Sequence, residues 1–164
     1  MAERSYNVLF VCTHNSARSI MAEAILNAMG KGRFHAFSAG SAPATTPNPY
    51  ALQTLRHLHL ATQDLRSKAW DEFAADGAPA MDFVITVCDN AAGEVCPVWP
   101  GKPITAHWGV EDPSLFQGSD DDKRRRFGQV AGILKRRIEL LVNLPISTLD
   151  RLVLEKSIRG IGGA

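Results

Sequence analysis

The chain has 164 residues, about one domain's worth, and folding at that size buries roughly 70% of the unfolded chain's surface. A composition that is 45% hydrophobic and 21% charged excludes disordered, collagen-like and coiled-coil classes. With 18 Lys and Arg against 17 Asp and Glu, the formal charge is +1, without the basic excess by which a non-specific nucleic-acid binder displaces counterions. The cysteines are Cys12, Cys88 and Cys96, too few for a disulfide scaffold. The polar start MAERSYN does not read as a signal peptide, and no apolar run approaches the ~18 residues of a membrane span. The expectation is one domain over residues 1–164, in a reducing, cytoplasmic setting, with neither nucleic acid nor membrane as partner.

In chain order, Tyr6 to Cys12 (YNVLFVC) is a continuous apolar run that suits a strand buried on both faces of a parallel sheet. The polar segment THNSARS follows, then IMAEAILNAMG, rich in helix formers and ended by Gly30 and Gly32. FHAFSAG reads as a second strand, over 33–38, stopped by Gly40. After the turn-rich APATTPNP, Pro49 opens a helix through Leu55. A short helical pattern covers Trp70 to Ala75, and further strands are predicted at 82–88 and 104–108. Ser119 is placed to cap a helix whose first turn holds Asp120, Asp121 and Asp122. Phe127, Val130, Leu134, Ile138 and Leu141 give that helix its apolar spacing, Pro145 ends it, and STLDRLVLEKSIRG adds a last short helix. The basic run KRRR at 123–126 is read as a solvated face balanced by the three acids. Together these elements predict an α/β fold of three layers, a four-stranded parallel sheet flanked by helices in flavodoxin-like order.

The chemistry concentrates in CTHNSARS, residues 12–19, between a buried strand and a helix start. Successive backbone N–H groups in such a loop can wrap a tetrahedral oxyanion at the positive end of the helix. The predicted oxyanion site is therefore Thr13, His14, Asn15, Ser16, Ala17, Arg18 and Ser19. Arg18 offers a permanently charged, bidentate grip. The same field is expected to lower the pKa of Cys12, with Ser19 donating its hydroxyl to the sulfur. Asn15 tolerates the left-handed backbone that a tight loop demands. His14 is read as packing the loop rather than as an acid or base.

VLFVCTHNSARSIMAEAIL resembles the N-terminal signature of the low-molecular-weight protein tyrosine phosphatase superfamily and, more narrowly, of the arsenate reductases that share its fold. The likeness continues in FSAGS, VITVCDNAAGEVCPVWPG and HWGVEDP, and so covers residues 6 to 145. The resemblance implies a phosphatase-like fold, Cys12 as nucleophile, Arg18 and the loop amides as oxyanion holders, and Asp112 as general acid. In the phosphatase branch a tyrosine follows the DP pair, where this chain has Ser114. A phosphatase needs one reactive cysteine, whereas a reductase must supply two electrons, for which a dithiol is a natural source. Cys12 and Cys88 both end strands, and parallel strands gather their C-terminal ends at one edge.

The resemblance then implies a relay in which arsenate is reduced to arsenite, with Cys88 and Cys96 as the resolving pair. No tightly bound cofactor is implied, only an external thiol reductant. Thioredoxin is the first choice. Because the Cys88–Cys96 spacing is one residue longer than in the best-known thioredoxin-coupled members, glutathione with glutaredoxin, or mycothiol, stays open. Some members bind potassium near the loop, and Asn15, Glu23 and Ser38 occupy matching positions. The alternatives are a low-molecular-weight tyrosine phosphatase and a non-catalytic oxyanion-binding module. A zinc site is excluded by spacing: there is no C-x2-C and no paired histidine motif. His57 and His59 do not share a helix face, and His107 is read as packed or loop-bonded.

Overall fold

The computed structural model describes residues 4–88, 99 and 102–164. Cys96, and with it residues 89–98 of the loop predicted after Cys88, lies outside the described residues.

Four strands, β1 (Tyr6–Cys12), β2 (Phe34–Gly40), β3 (Phe83–Thr86) and β4 (Ile104–His107), form a parallel sheet in the order β2-β1-β3-β4. Among the described residues four α-helices flank it: α1 (Arg18–Met29), α2 (Pro49–His57), α3 (Asp120–Val142) and α4 (Arg151–Ile161). β1 is central, and Val8, Leu9, Phe10 and Val11 are all fully buried. An apolar run without alternation is what burial on both faces requires. The register aligns Cys12 with Gly40 and Val11 with Thr86. The C-terminal ends of the strands therefore share one edge of the sheet, where open α/β sheets bind their ligands.

The helix signals behave as their chemistry predicts. Asn48 caps α2 by accepting from the Tyr50 amide, with Pro49 at the first position. The Ser119 hydroxyl accepts from the Asp122 amide at 3.1 Å, and the three aspartates occupy the first turn of α3. Differences lie at element ends. The second strand runs through Gly40 rather than stopping before it, because Gly40 pairs with both Cys12 and Ala69. The third and fourth strands are shorter than expected and end at Thr86 and His107. The pattern at Trp70 is a single 3-10 turn over Trp70–Phe73. In the 123–126 run, Arg124 on Asp121 at 2.9 Å and Arg125 facing Asp122 form the balanced surface expected, whereas Arg126 reaches Glu111.

Beneath β4, α4 closes the core. Trp108, fully buried, donates its indole N–H to the Ile158 carbonyl at 2.9 Å. Arg137 of α3, nearly buried, donates to the Trp108 and Gly109 carbonyls at 3.0 and 3.1 Å. This clamp fixes the start of the segment that leads to Asp112.

Candidate active site

The loop after β1 takes its shape from its carbonyls. Those of Thr13, His14 and Ser16 accept from the amides of Ala42, Ala44 and Asn48 at 2.9, 2.8 and 2.8 Å. The 42–48 connection thus holds the outer side of the loop. Among the described residues, none of the amides of His14 to Arg18 donates to a protein acceptor. At the N-terminus of α1, Ala17 supplies no side-chain cap and no acid sits in the first turn. Helix-end donors left this way are the groups that bind tetrahedral anions. Asn15 has φ 47°, the left-handed conformation expected of it. Gly40 backs the loop so closely that a Cβ there would lie 2.5 Å from the Thr13 carbonyl oxygen.

Cys12 is buried at the floor of the cradle, with the Ser19 hydroxyl 3.2 Å from its sulfur. The Asn15 side-chain Nδ2 donates to the Ser19 oxygen at 2.8 Å. That bond uses Ser19 as an acceptor and leaves its hydroxyl hydrogen for the sulfur. The other end of Asn15 accepts from the Lys68 amide at 2.9 Å. The loop is thereby tied, through Asn15, to a segment far away in sequence.

Cys88 is the second buried thiol. Its sulfur accepts from the Thr13 amide at 3.3 Å and sits 3.6 Å from the Thr13 hydroxyl. It is also near enough to Cys12 to influence the charge on that sulfur. The expectation of a lowered Cys12 pKa is corrected here. Contact with Cys88 pushes the Cys12 thiol well up, burial adds to that, and Ser19 pulls the other way. The sequence reading weighed the helix and loop amides but not a second thiol at the same strand edge.

Arg18, the first residue of α1, turns its guanidinium toward the loop after β4. It donates to the Val110 carbonyl at 3.1 Å and lies 3.4 Å from the Asp112 carboxylate. Asp112 is held from its other side by the Ser114 amide at 3.0 Å and the Ser114 hydroxyl at 2.6 Å. Next to it, Glu111 takes Arg126 of α3 at 3.0 Å. Cys12, Arg18, Asp112 and Cys88 therefore converge on one edge. His14 is exposed and bonds the Ala42 carbonyl at 3.1 Å, which is loop packing. His107 pairs with the Thr86 hydroxyl at 2.8 Å.

A model of the low molecular weight phosphotyrosine protein phosphatase family matches residues 7–153. The chain belongs to that family. A relative named arsenate reductase, from Oceanobacillus iheyensis, is 33% identical over 133 residues, 81% of this chain and 92% of the relative. A solved structure described as an arsenate reductase in the phosphate binding state superposes with a TM-score of 0.66 at 28% identity, covering 84% of this chain and 96% of that one. The thioredoxin-dependent arsenate reductase Cg_ArsC1' of Corynebacterium glutamicum gives 0.59 at 29% identity, over 86% of this chain but only 65% of that one. The fold is the one expected from the sequence.

Three residues that sequence reasoning missed support this site. Lys68 carries the amide that holds Asn15, Arg137 clamps the approach to Asp112, and Arg126 holds Glu111. None carried a local signal. Lys68 lies in a polar connection, and the two arginines look like ordinary solvated helix positions. Of Asn15, Glu23 and Ser38, the positions matched to a potassium site, Glu23 and Ser38 meet at 2.7 Å, while Asn15 bonds the Lys68 backbone amide. The Lys68 ammonium sits 3.4 Å from both the Glu23 carboxylate and the Ser38 hydroxyl. Among the described residues no helix is long and apolar enough to cross a membrane.

Proposed function

We infer that the protein is an arsenate reductase, using a thiol relay for detoxification. The observation that carries this reading is the second buried thiol, Cys88, held beside Cys12 by the Thr13 amide. A phosphatase resolves its intermediate with water and has no use for it.

In the proposed relay, the amides of residues 13–19 and Arg18 bind the arsenate oxygens. The Cys12 thiolate attacks arsenic while Asp112 protonates the departing oxygen, which leaves as water. Arg18 shifts from its Asp112 contact to the substrate, freeing the carboxyl group for that proton. Cys88 then attacks the Cys12 sulfur. The sulfur–sulfur bond forms, the sulfur–arsenic electron pair passes to arsenic, and arsenite departs. Cys96 attacks Cys88 in turn, which releases the Cys12 thiolate and leaves a Cys88–Cys96 disulfide. An external dithiol reduces that disulfide, and thioredoxin is the partner proposed, by likeness to the thioredoxin-dependent relative. A reductant of this kind goes with a reducing, cytoplasmic setting, which is the localisation proposed.

Cys88→Ser decides between this relay and a tyrosine phosphatase. The variant should lose arsenate turnover with thioredoxin and keep hydrolysis of p-nitrophenyl phosphate. Turnover of arsenate at the parent rate would show that the relay is wrong. Mass spectrometry after one turnover without reductant should find Cys88 joined to Cys96. A glutathione or mycothiol adduct on Cys12 would instead identify a different reductant.

A further inference from the structure

Lys68 is a lysine in a place where lysine is rarely found. It is 9% exposed, and a charged side chain at that depth needs partners. Its ammonium has three: the Arg66 carbonyl at 2.9 Å, the Glu23 carboxylate at 3.4 Å and the Ser38 hydroxyl at 3.4 Å. Ser38 already donates its own hydrogen to Glu23 at 2.7 Å, so toward Lys68 it offers a lone pair. Three acceptors facing one nitrogen match the three N–H bonds of an ammonium and not the two of a neutral amine. Glu23 is accordingly neutralised from within the chain.

The position of this group connects it to the cradle. The backbone of Lys68 bonds Asn15 through its amide and Gly40 through its carbonyl, both at 2.9 Å. Asn15 bonds Ser19, and Ser19 bonds Cys12. The ammonium therefore anchors, at its far end, a residue whose near end holds the nucleophile's loop. It touches neither substrate nor sulfur, and so it is a positioning residue.

We propose that the Lys68 ammonium is the resident cation of the Glu23–Ser38 pocket, bracing the oxyanion loop and making the protein indifferent to potassium. A potassium ion in this pocket would meet the same carboxylate and hydroxyl that Lys68 already occupies, at the distance of a like-charge contact. The assignment rests on the site geometry, and its thermal readout is independent of whether arsenate is the substrate.

The test compares melting temperature in potassium chloride and choline chloride at equal ionic strength, together with the rate of Cys12 alkylation. The parent should melt at the same temperature in both salts. Lys68→Ala removes the ammonium and leaves room, so it should melt lower, and potassium but not choline should restore part of the loss. Lys68→Met keeps the length without the charge, so it should melt lower in both salts. Cys12 alkylation should change in Lys68→Ala and return toward the parent rate with potassium, which loss of packing alone would not produce. A parent stabilised by potassium over choline would overturn the proposal. So would a Lys68→Met protein that matches the parent, or a Lys68→Ala protein that potassium fails to rescue. If these thermal results hold while the parent fails to reduce arsenate, the functional reading fails and the assignment of Lys68 survives.

Discussion

Replacing Gly40 by alanine should disable the cradle while leaving the sheet folded. An added Cβ would lie 2.5 Å from the Thr13 carbonyl oxygen, 2.8 Å from that of Cys12 and 3.0 Å from the Asn15 nitrogen. All three are backbone atoms, so no side chain can rotate aside. Ordinary contact begins at 3.4 Å, and the Thr13 carbonyl would have to retreat by about 0.9 Å. That carbonyl also accepts from Ala42, so the outer tether of the loop moves with it. Overpacking of this kind costs about 1–3 kcal/mol, which for a chain of this size lowers the melting temperature by roughly 2–12 °C. The functional loss should be larger than the thermal one. A displacement near 1 Å of groups that hold a reacting oxyanion costs on the order of 100-fold in rate. Circular dichroism melting and steady-state arsenate turnover measure the two effects, and calorimetric binding of inorganic phosphate reports the cradle without chemistry. A Gly40→Ala protein that binds phosphate and turns over arsenate like the parent would refute the reasoning.

Four further outcomes follow from the geometry. Cys88 is the largest influence raising the Cys12 thiol, so Cys88→Ala should move the Cys12 pKa down and speed its labelling by iodoacetamide at neutral pH; slower labelling counts against the thiol pair. Ser19 pulls Cys12 the other way, so Ser19→Ala should raise that pKa. Losing a hydrogen bond to a charged acceptor costs about 1.5–3 kcal/mol, and turnover should fall roughly 10- to 100-fold. Arg18→Lys keeps the charge but loses the fork, so kcat/KM for arsenate should drop by a similar, roughly 10- to 100-fold, factor; an unchanged value would mean that the loop amides alone hold the oxyanion. Arg137→Ala strands the carbonyls of Trp108 and Gly109, at about 1–3 kcal/mol for each buried acceptor left alone. A melting temperature equal to the parent's would show that water replaces the clamp.

What was legible in the sequence was what local chemistry dictates. The run from Tyr6 to Cys12 lacks alternation because both faces of β1 are covered, and an apolar run carries that information directly. Asn15 could be assigned its left-handed backbone, and Ser19 its bond to sulfur, because both lie within one loop and one helical turn of Cys12. Ser119 and its three aspartates announced α3 for the same reason. The end of β2 was misplaced because Gly40 looks like a terminator, while its role is to let three backbone segments approach. Lys68, Arg126 and Arg137 were illegible for a common reason. Each acts on a residue more than a dozen positions away, through carbonyls or carboxylates that no spacing rule connects to it. Cys96 could be named from the sequence and lies outside the described residues.

The error over Cys12 bears on the order of the relay. A thiolate next to a second thiol is not an isolated group, and two adjacent thiols do not both carry charge without a like-charge penalty. The field of the loop amides and the α1 N-terminus therefore supports one negative charge at this edge of the sheet. Ser19 favours the charge on Cys12, since its hydroxyl, 3.2 Å from the sulfur, can donate to a thiolate there. When Cys12 bonds to arsenic in the proposed relay, its sulfur no longer carries that charge. The penalty on the neighbour is lifted at that step, and the Thr13 amide already donates to the Cys88 sulfur. Cys88 can then become the nucleophile, beside the sulfur it must attack. The feature that raises Cys12 in the resting protein thus delays the second thiol until the first has reacted, which is the sequence of events a two-electron reduction of an oxyanion needs.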